Sequence, residues 1–152
     1  MKTFRLTMGL LSILALALLF TACTSAQPQP QTSVNQTFEN QITLLGYTWN
    51  ESRDRLQLFW QARSSPTGDY AAFVHILDAQ GKLVAQFDQA PGSIPTSRWK
   101  PGEMIIDEYV ITQPNLAFER FTIQVGLFNP ATGKRLGING NTNEVIVLTV
   151  RK

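Results

Sequence analysis

Residues 70–88 read YAAFVHILDAQGKLVAQFD, two runs rich in β-branched and aromatic residues on either side of Asp78-Ala79-Gln80-Gly81-Lys82. Short runs of that composition around a glycine-containing break predict an antiparallel hairpin, and Gly81 suits the left-handed position of a bulged turn. If Asp78 pairs with Lys82, then Leu77 faces Leu83, His75 faces Ala85 and Phe73 faces Phe87. This register puts the chain's only imidazole on an apolar face as a hydrogen-bonded core histidine. It puts Gln86 and Asp88 on the opposite face, across from Val74 and Ala72. Side chains alternate along a strand with period two, so a slip of one residue reverses both assignments.

The same pattern continues outward in both directions. Residues 42–49, 55–62, 104–111, 121–128 and 145–150 are further β-like runs, and the breaks between runs carry Asn50-Glu51-Ser52, Ser65-Pro66-Thr67-Gly68, Pro91-Gly92, Pro101-Gly102 and Asn129-Pro130-Ala131-Thr132-Gly133. Helical periodicity is confined to a turn around residues 115–118. Many short strands with no helix to cover a parallel sheet predict an all-β chain. The fold expected is an antiparallel two-sheet β-sandwich of about seven to eight strands, immunoglobulin-like or jelly-roll-like in its wiring.

Upstream of these runs the chain changes character. Lys2 and Arg5 precede an apolar run over residues 10–20, the charged and apolar regions of a signal peptide, and the run is too short for a comfortable membrane span. It ends in Phe20-Thr21-Ala22-Cys23, which resembles the bacterial lipobox with Phe20 where Leu is usual. The resemblance implies cleavage after residue 22 and lipidation (palmitate and related acyl chains) of Cys23. Acyl chains at about 0.8 kcal/mol per buried CH₂ would hold the domain on a bilayer. Residues 24–36, TSAQPQPQTSVNQ, have no charge and no aromatic, which predicts an extended spacer of about 40 Å. The expected organisation is therefore a signal peptide over 1–22, a lipidated Cys and flexible Gln/Pro tether over 23–37, and a sandwich domain over 38–152. The expected location is outside the cytoplasmic membrane, anchored to the bacterial cell envelope.

Charge and composition exclude several functions. Of 13 Lys and Arg, two lie in the leader, which leaves the remainder balanced against 11 Asp and Glu; a neutral domain lacks the basic footprint of a nucleic-acid binder. One Cys and one His exclude an internal disulfide, a Cys-based zinc site and a His-rich metal site. No cofactor motif is present, and a non-catalytic protein is expected.

The runs Leu45-Gly46-Tyr47, Leu58-Phe59-Trp60-Gln61-Ala62, Phe73-Val74-His75-Ile76-Leu77-Asp78, Pro95-Thr96-Ser97-Arg98-Trp99, Pro101-Gly102-Glu103 and Gly126-Leu127-Phe128 occur in that order. Together they resemble an uncharacterised bacterial β-sandwich module of lipoproteins and of the C-terminal ends of dolichyl-phosphate-mannose-type membrane glycosyltransferases. The likeness spans nearly all of residues 45–150. It implies an accessory or carbohydrate-related module without its transferase part.

Five residues are candidates for a ligand site: Trp99, Arg98, Asp88, Gln86 and His75. An indole beside a guanidinium, with a carboxylate and an amide nearby, can stack on a sugar face and hydrogen-bond its hydroxyls. The competing reading has Trp99 plugging one end of the sandwich while Arg98 pairs with an acid. Trp60, in step with Leu56 and Leu58, reads as core, and Trp49 as either. Asp107 and Glu108 are adjacent carboxylates, but strand neighbours point to opposite faces, which weakens a glycosidase reading; Asp88 with Asp107 is the remaining pair. Asn139, Asn141, Asn143 and Glu144 offer oxygens for calcium, or simply turn geometry. The function expected is a lipid-anchored, non-catalytic binding module of the envelope that recognises a glycan. The alternatives are a structural lipoprotein that holds another envelope protein, and a carboxylate-dependent hydrolase.

Overall fold

The computed structural model describes residues 27–50, 52, 54–111, 120–141 and 146–151; the leader, Cys23 and the turn expected at 115–118 lie outside them. Among the described residues eight strands follow one another: β1 (Thr32–Phe38), β2 (Ile42–Asn50), β3 (Arg55–Ala62), β4 (Ala71–Leu77), β5 (Leu83–Gln89), β6 (Met104–Val110), β7 (Arg120–Phe128) and β8 (Ile146–Arg151). They form two antiparallel sheets, ordered β1-β2-β3-β6 and β5-β4-β7-β8. The chain is thus the antiparallel β-sandwich that its turn spacing predicts. Pairing of β3 with β6, β4 with β7 and β7 with β8 reproduces the B–E, C–F and F–G neighbours of the immunoglobulin wiring, which excludes the jelly roll.

Alternation puts one face of each sheet into the core. Leu56, Leu58 and Trp60 of β3 point inward toward Ala72, Val74 and Ile76 of β4 and Ile123, Val125 and Leu127 of β7, all almost wholly buried. Each large side chain so buried contributes about 1.5–3 kcal/mol of hydrophobic free energy. Trp60 is a core residue, as its spacing predicts, and packs 6.0 Å from the Phe38 ring.

Two contacts define the ends of the sandwich. Trp49, at the end of β2, meets the Phe121 ring edge-on at 5.4 Å, at the end where Thr32 enters opposite Tyr47. At the far end Phe38 bridges to Ile138. Strand β4 runs from the far end, where Ala71 pairs with Phe128, to the near end, where Leu77 pairs with Thr122.

The N-terminal boundary differs from the sequence expectation of a tether reaching residue 37. Thr32–Phe38 is a strand paired with β2, and its apolar Val34 and Phe38 pack on the core while Thr37 bonds Thr43 and Asn139. The segment before it is also docked. The Gln31 amide donates to Thr48 Oγ1 at 3.1 Å, and Pro30 lies against Gly46, where a Cβ would run into both Pro30 and the Thr32 carbonyl. From Cys23 to Pro30 an extended chain spans only about 22 Å at ~3.1 Å per residue, roughly half the reach expected from sequence.

Candidate functional site

The β4–β5 hairpin closes as its turn chemistry predicts. Asp78 N donates to Lys82 O, Asp78 Oδ1 accepts from the amides of Gln80 and Lys82, and Gly81 takes φ +78°. Leu77 faces Leu83. The next pair, however, is Ile76 with Ala85, so Val84 is an extra residue in β5 and the strand carries a bulge. From there the predicted register is off by one: His75 pairs with Gln86 rather than Ala85, and Phe73 with Asp88 rather than Phe87. The face assignment reverses with it. Ala72 and Val74 point into the core, and His75 leaves the core for the outer face, where Gln86 and Asp88 also project.

This correction brings three of the five candidate residues together. On the outer face of the second sheet, one row across the strands runs Gln86–His75–Gln124 and the next Asp88–Phe73–Gly126. Facing cross-strand side chains are near enough to act on one ligand. The turn after β7 supplies the rest. Gly133, at φ +71°, donates to the Asn129 carbonyl, and the chain doubles back so that Arg135 bridges to Phe128. Paired residues share a face, so Arg135 projects outward as Phe128 does, and its guanidinium lies 4.4 Å from the Phe73 ring centroid in a cation–π stack. That cover is why Phe73, on an outer face, is 2% exposed. Phe73, His75, Asp88, Phe128, Gly133 and Arg135 line an open cleft of about 220 Å³.

His75 is half-buried in this cleft, its ring 4.9 Å from that of Phe73. Burial lowers its pKa below 6.5, with the Asp88 carboxylate opposing that shift and the Arg135 cation adding to it. At neutral pH the imidazole is therefore uncharged, one nitrogen donating and the other accepting. The cleft thus combines a two-way hydrogen-bonding ring, two amides alongside, a carboxylate, a guanidinium and the partly exposed Phe128.

Trp99 and Arg98 do not belong to it. Trp99 is 2% exposed and part of the core, because the loop between β5 and β6 folds down through single 3-10 turns at Pro91–Ser93 and Thr96–Arg98. Buried Thr96 pins the loop: its hydroxyl donates to Gly68 O and accepts from the Tyr70 amide. Arg98 is exposed beside Asp69, whose carboxyl is held below its usual range first by hydrogen bonding to Ser97 and in smaller part by this cation. The indole that sequence reasoning offers as a sugar platform is a structural plug.

The adjacent carboxylates separate as strand geometry requires. Glu108 projects outward and pairs with Arg55, while Asp107 is 2% exposed on the inner side of β6. Asp107 accepts from Gln89 Nε2 at 2.7 Å, the Gly92 amide at 3.1 Å and the Tyr109 hydroxyl, tying β6 to the end of β5. Desolvation raises its pKa against the pull of these donors, and burial likewise raises that of Tyr109. Asp88 lies on the outer face of the other sheet, so it and Asp107 do not converge on one glycosidic bond.

The 137–144 loop has a structural role in its described part. Asn139, at φ +52°, accepts from the Thr37 amide and donates to Gln36, fastening β1; residues 142–144 lie outside the described residues. Among the described residues no group of three or more His, Cys, Asp or Glu side chains is placed to hold a metal. The chain matches no family model, no curated protein and no solved structure.

Phe73, Phe128, Gly133 and Arg135, which line the cleft, and Gln124, which pairs with His75 beside it, are not among the candidate residues. One sequence signal bore on them: the Asn-Pro-Ala-Thr-Gly turn with glycine last implies a chain reversal, which would set Arg135 beside Phe128.

Proposed function

We propose that the protein is a lipid-anchored, non-catalytic binding module of the bacterial cell envelope, and that it recognises a saccharide in the outer-face cleft of the second sheet. The observation that carries this reading is the row Gln86–His75–Gln124 beside Asp88 and Phe128, which presents donors, acceptors and an apolar surface together. Sugar hydroxyls are donors and acceptors at once, and a ring's C–H face packs on an aromatic. A cleft of about 220 Å³ suits one sugar ring or one chain terminus better than a large ligand.

Placement supports the reading. The chain enters the sandwich at the end carrying Trp49, whereas Phe128 and Arg135 sit toward the opposite end, so the cleft does not lie where the chain enters. A hydrolase gains no support, because Asp88 is the one carboxylate among the cleft-lining residues and glycoside hydrolysis ordinarily uses two. The burial of Trp99 is what a structural lipoprotein predicts, and this makes it the second reading. The large apolar side chains exposed among the described residues, Leu83, Ile94 and Val110, are candidates for such a contact.

A glycan-array screen of the full chain in detergent, with His75→Ala and Trp99→Phe alongside, tests the proposal. Binding that His75→Ala abolishes and Trp99→Phe retains supports it. Binding unaffected by His75→Ala, or no binding to any glycan, contradicts it.

A further inference from the structure

We infer, building on the saccharide reading, that the cleft is specific for a sugar bearing a carboxylate, with Arg135 as the group that receives it. Arg135 is the side chain whose state the reading so far leaves unexplained. Among the described residues its guanidinium makes no ion pair, although Asp88 lines the same cleft. Its guanidinium carbon lies over the Phe73 ring, 4.4 Å from the centroid, and its backbone is fixed by the bridge to Phe128.

A cation–π contact uses the charge of the guanidinium and no N–H donor, so with no carboxylate partner among the described residues the planar N–H fork is left to a ligand. A fork immobilised before the ligand arrives forfeits little side-chain entropy on binding, and its planar geometry matches two carboxylate oxygens. Across the cleft, Asp88 accepts hydrogen bonds and repels anions. The site therefore displays two separated demands, an anionic acceptor at Arg135 and hydroxyl donors at Asp88. A neutral sugar satisfies only the second. A phosphorylated sugar satisfies the first but brings close to two negative charges beside Asp88. A hexuronate, with one planar charge on a ring of hydroxyls, satisfies both.

The test compares hexuronate oligosaccharides with the same chains after reduction of each carboxyl to a primary alcohol. Binding to the full chain in detergent is read from the proton resonances of His75, the only imidazole. A charge-assisted pair in a half-open site predicts that wild type binds the acid about 10- to 100-fold more tightly than its reduced partner. Arg135→Gln should erase that ratio, so that the variant binds the acid no more tightly than the reduced sugar. Arg135→Lys should retain part of the ratio. Lys134→Gln, which removes an exposed neighbouring cation, should leave it intact and so exclude a general charge effect. Equal binding of acid and reduced sugar overturns the carboxylate inference while the saccharide reading stands, as does tighter binding of a sugar phosphate. Binding of neither sugar overturns the carboxylate inference, and absence of binding to every glycan of the array overturns the saccharide reading with it.

Discussion

Replacing Trp99 by alanine should unfold a large part of the protein's stability without touching its ligand site. The side chain is 2% exposed within the core, so truncation removes a buried bicyclic ring and opens a cavity, a change that ordinarily costs about 3–5 kcal/mol. One term offsets the loss. The Trp99 indole N–H is buried with no hydrogen-bond partner, and an orphaned donor already costs about 1–3 kcal/mol. Alanine relieves that cost, which brings the net loss toward ~3 kcal/mol. Phenylalanine relieves it while keeping most of the packing, so Trp99→Phe should lie within about 1 kcal/mol of wild type. Against a typical total of about 5–15 kcal/mol, the contrast is easily measured. Urea denaturation followed by circular dichroism gives both values, provided the slope with denaturant is unchanged. A Trp99→Ala protein as stable as wild type would refute the assignment of Trp99 as a plug, and so would loss of glycan binding in a folded Trp99→Phe.

Asp107→Asn should alter the pH profile of stability. The folded-state pKa of Asp107 is raised from 3.8, so its contribution to stability is fully present below that value and is lost as pH rises through the raised pKa. Relative to Asp107→Asn, wild type should therefore gain stability on going from pH 7 toward pH 4, as measured by melting temperature; a flat difference contradicts this. His75→Gln tests the opposite sign, because a lowered histidine pKa gives stability present above pH 6.5 and lost as pH falls through the folded value. Wild type should lose ground to His75→Gln on acidification. Gly46→Ala should cost about 1–3 kcal/mol and expose residues 30–32 to protease, since the added methyl collides with the Thr32 carbonyl and with Pro30; unaltered proteolysis would show that the segment is not docked. Cys23→Ser should move the protein from the membrane to the soluble fraction, and retention at the membrane would refute lipid anchoring.

The strands and turns were readable because their signals are local. Gly81 marks its turn, and alternation predicts that Asp107 and Glu108 diverge and that Trp60 is core. What sequence left hidden depends on single-residue irregularities and on contacts between distant segments. The bulge at Val84 carries no glycine and no change of composition, yet it sets His75 opposite Gln86 and Phe73 opposite Asp88, where an unbroken register gives Ala85 and Phe87. Strand β1 reads as spacer because Thr32, Ser33, Asn35, Gln36 and Thr37 are polar, and only its partners reveal it: Asn139 bonds Thr37 and Gln36 from the far side of the chain. Phe73 looks like a core residue, and it is buried, but by Arg135 on the outer face rather than by the opposite sheet.

The most direct test of the cleft as the ligand site is a nuclear magnetic resonance titration of the His75 imidazole protons with the best-binding glycan, at pH 7 and across pH 5–8. His75 being the only histidine, its signals need no assignment by mutation. Saturable shifts that track binding, together with a titration midpoint below 6.5 that moves when ligand is added, are the predicted result. A glycan that binds while leaving the His75 resonances and their midpoint unmoved would place the site elsewhere and contradict the account.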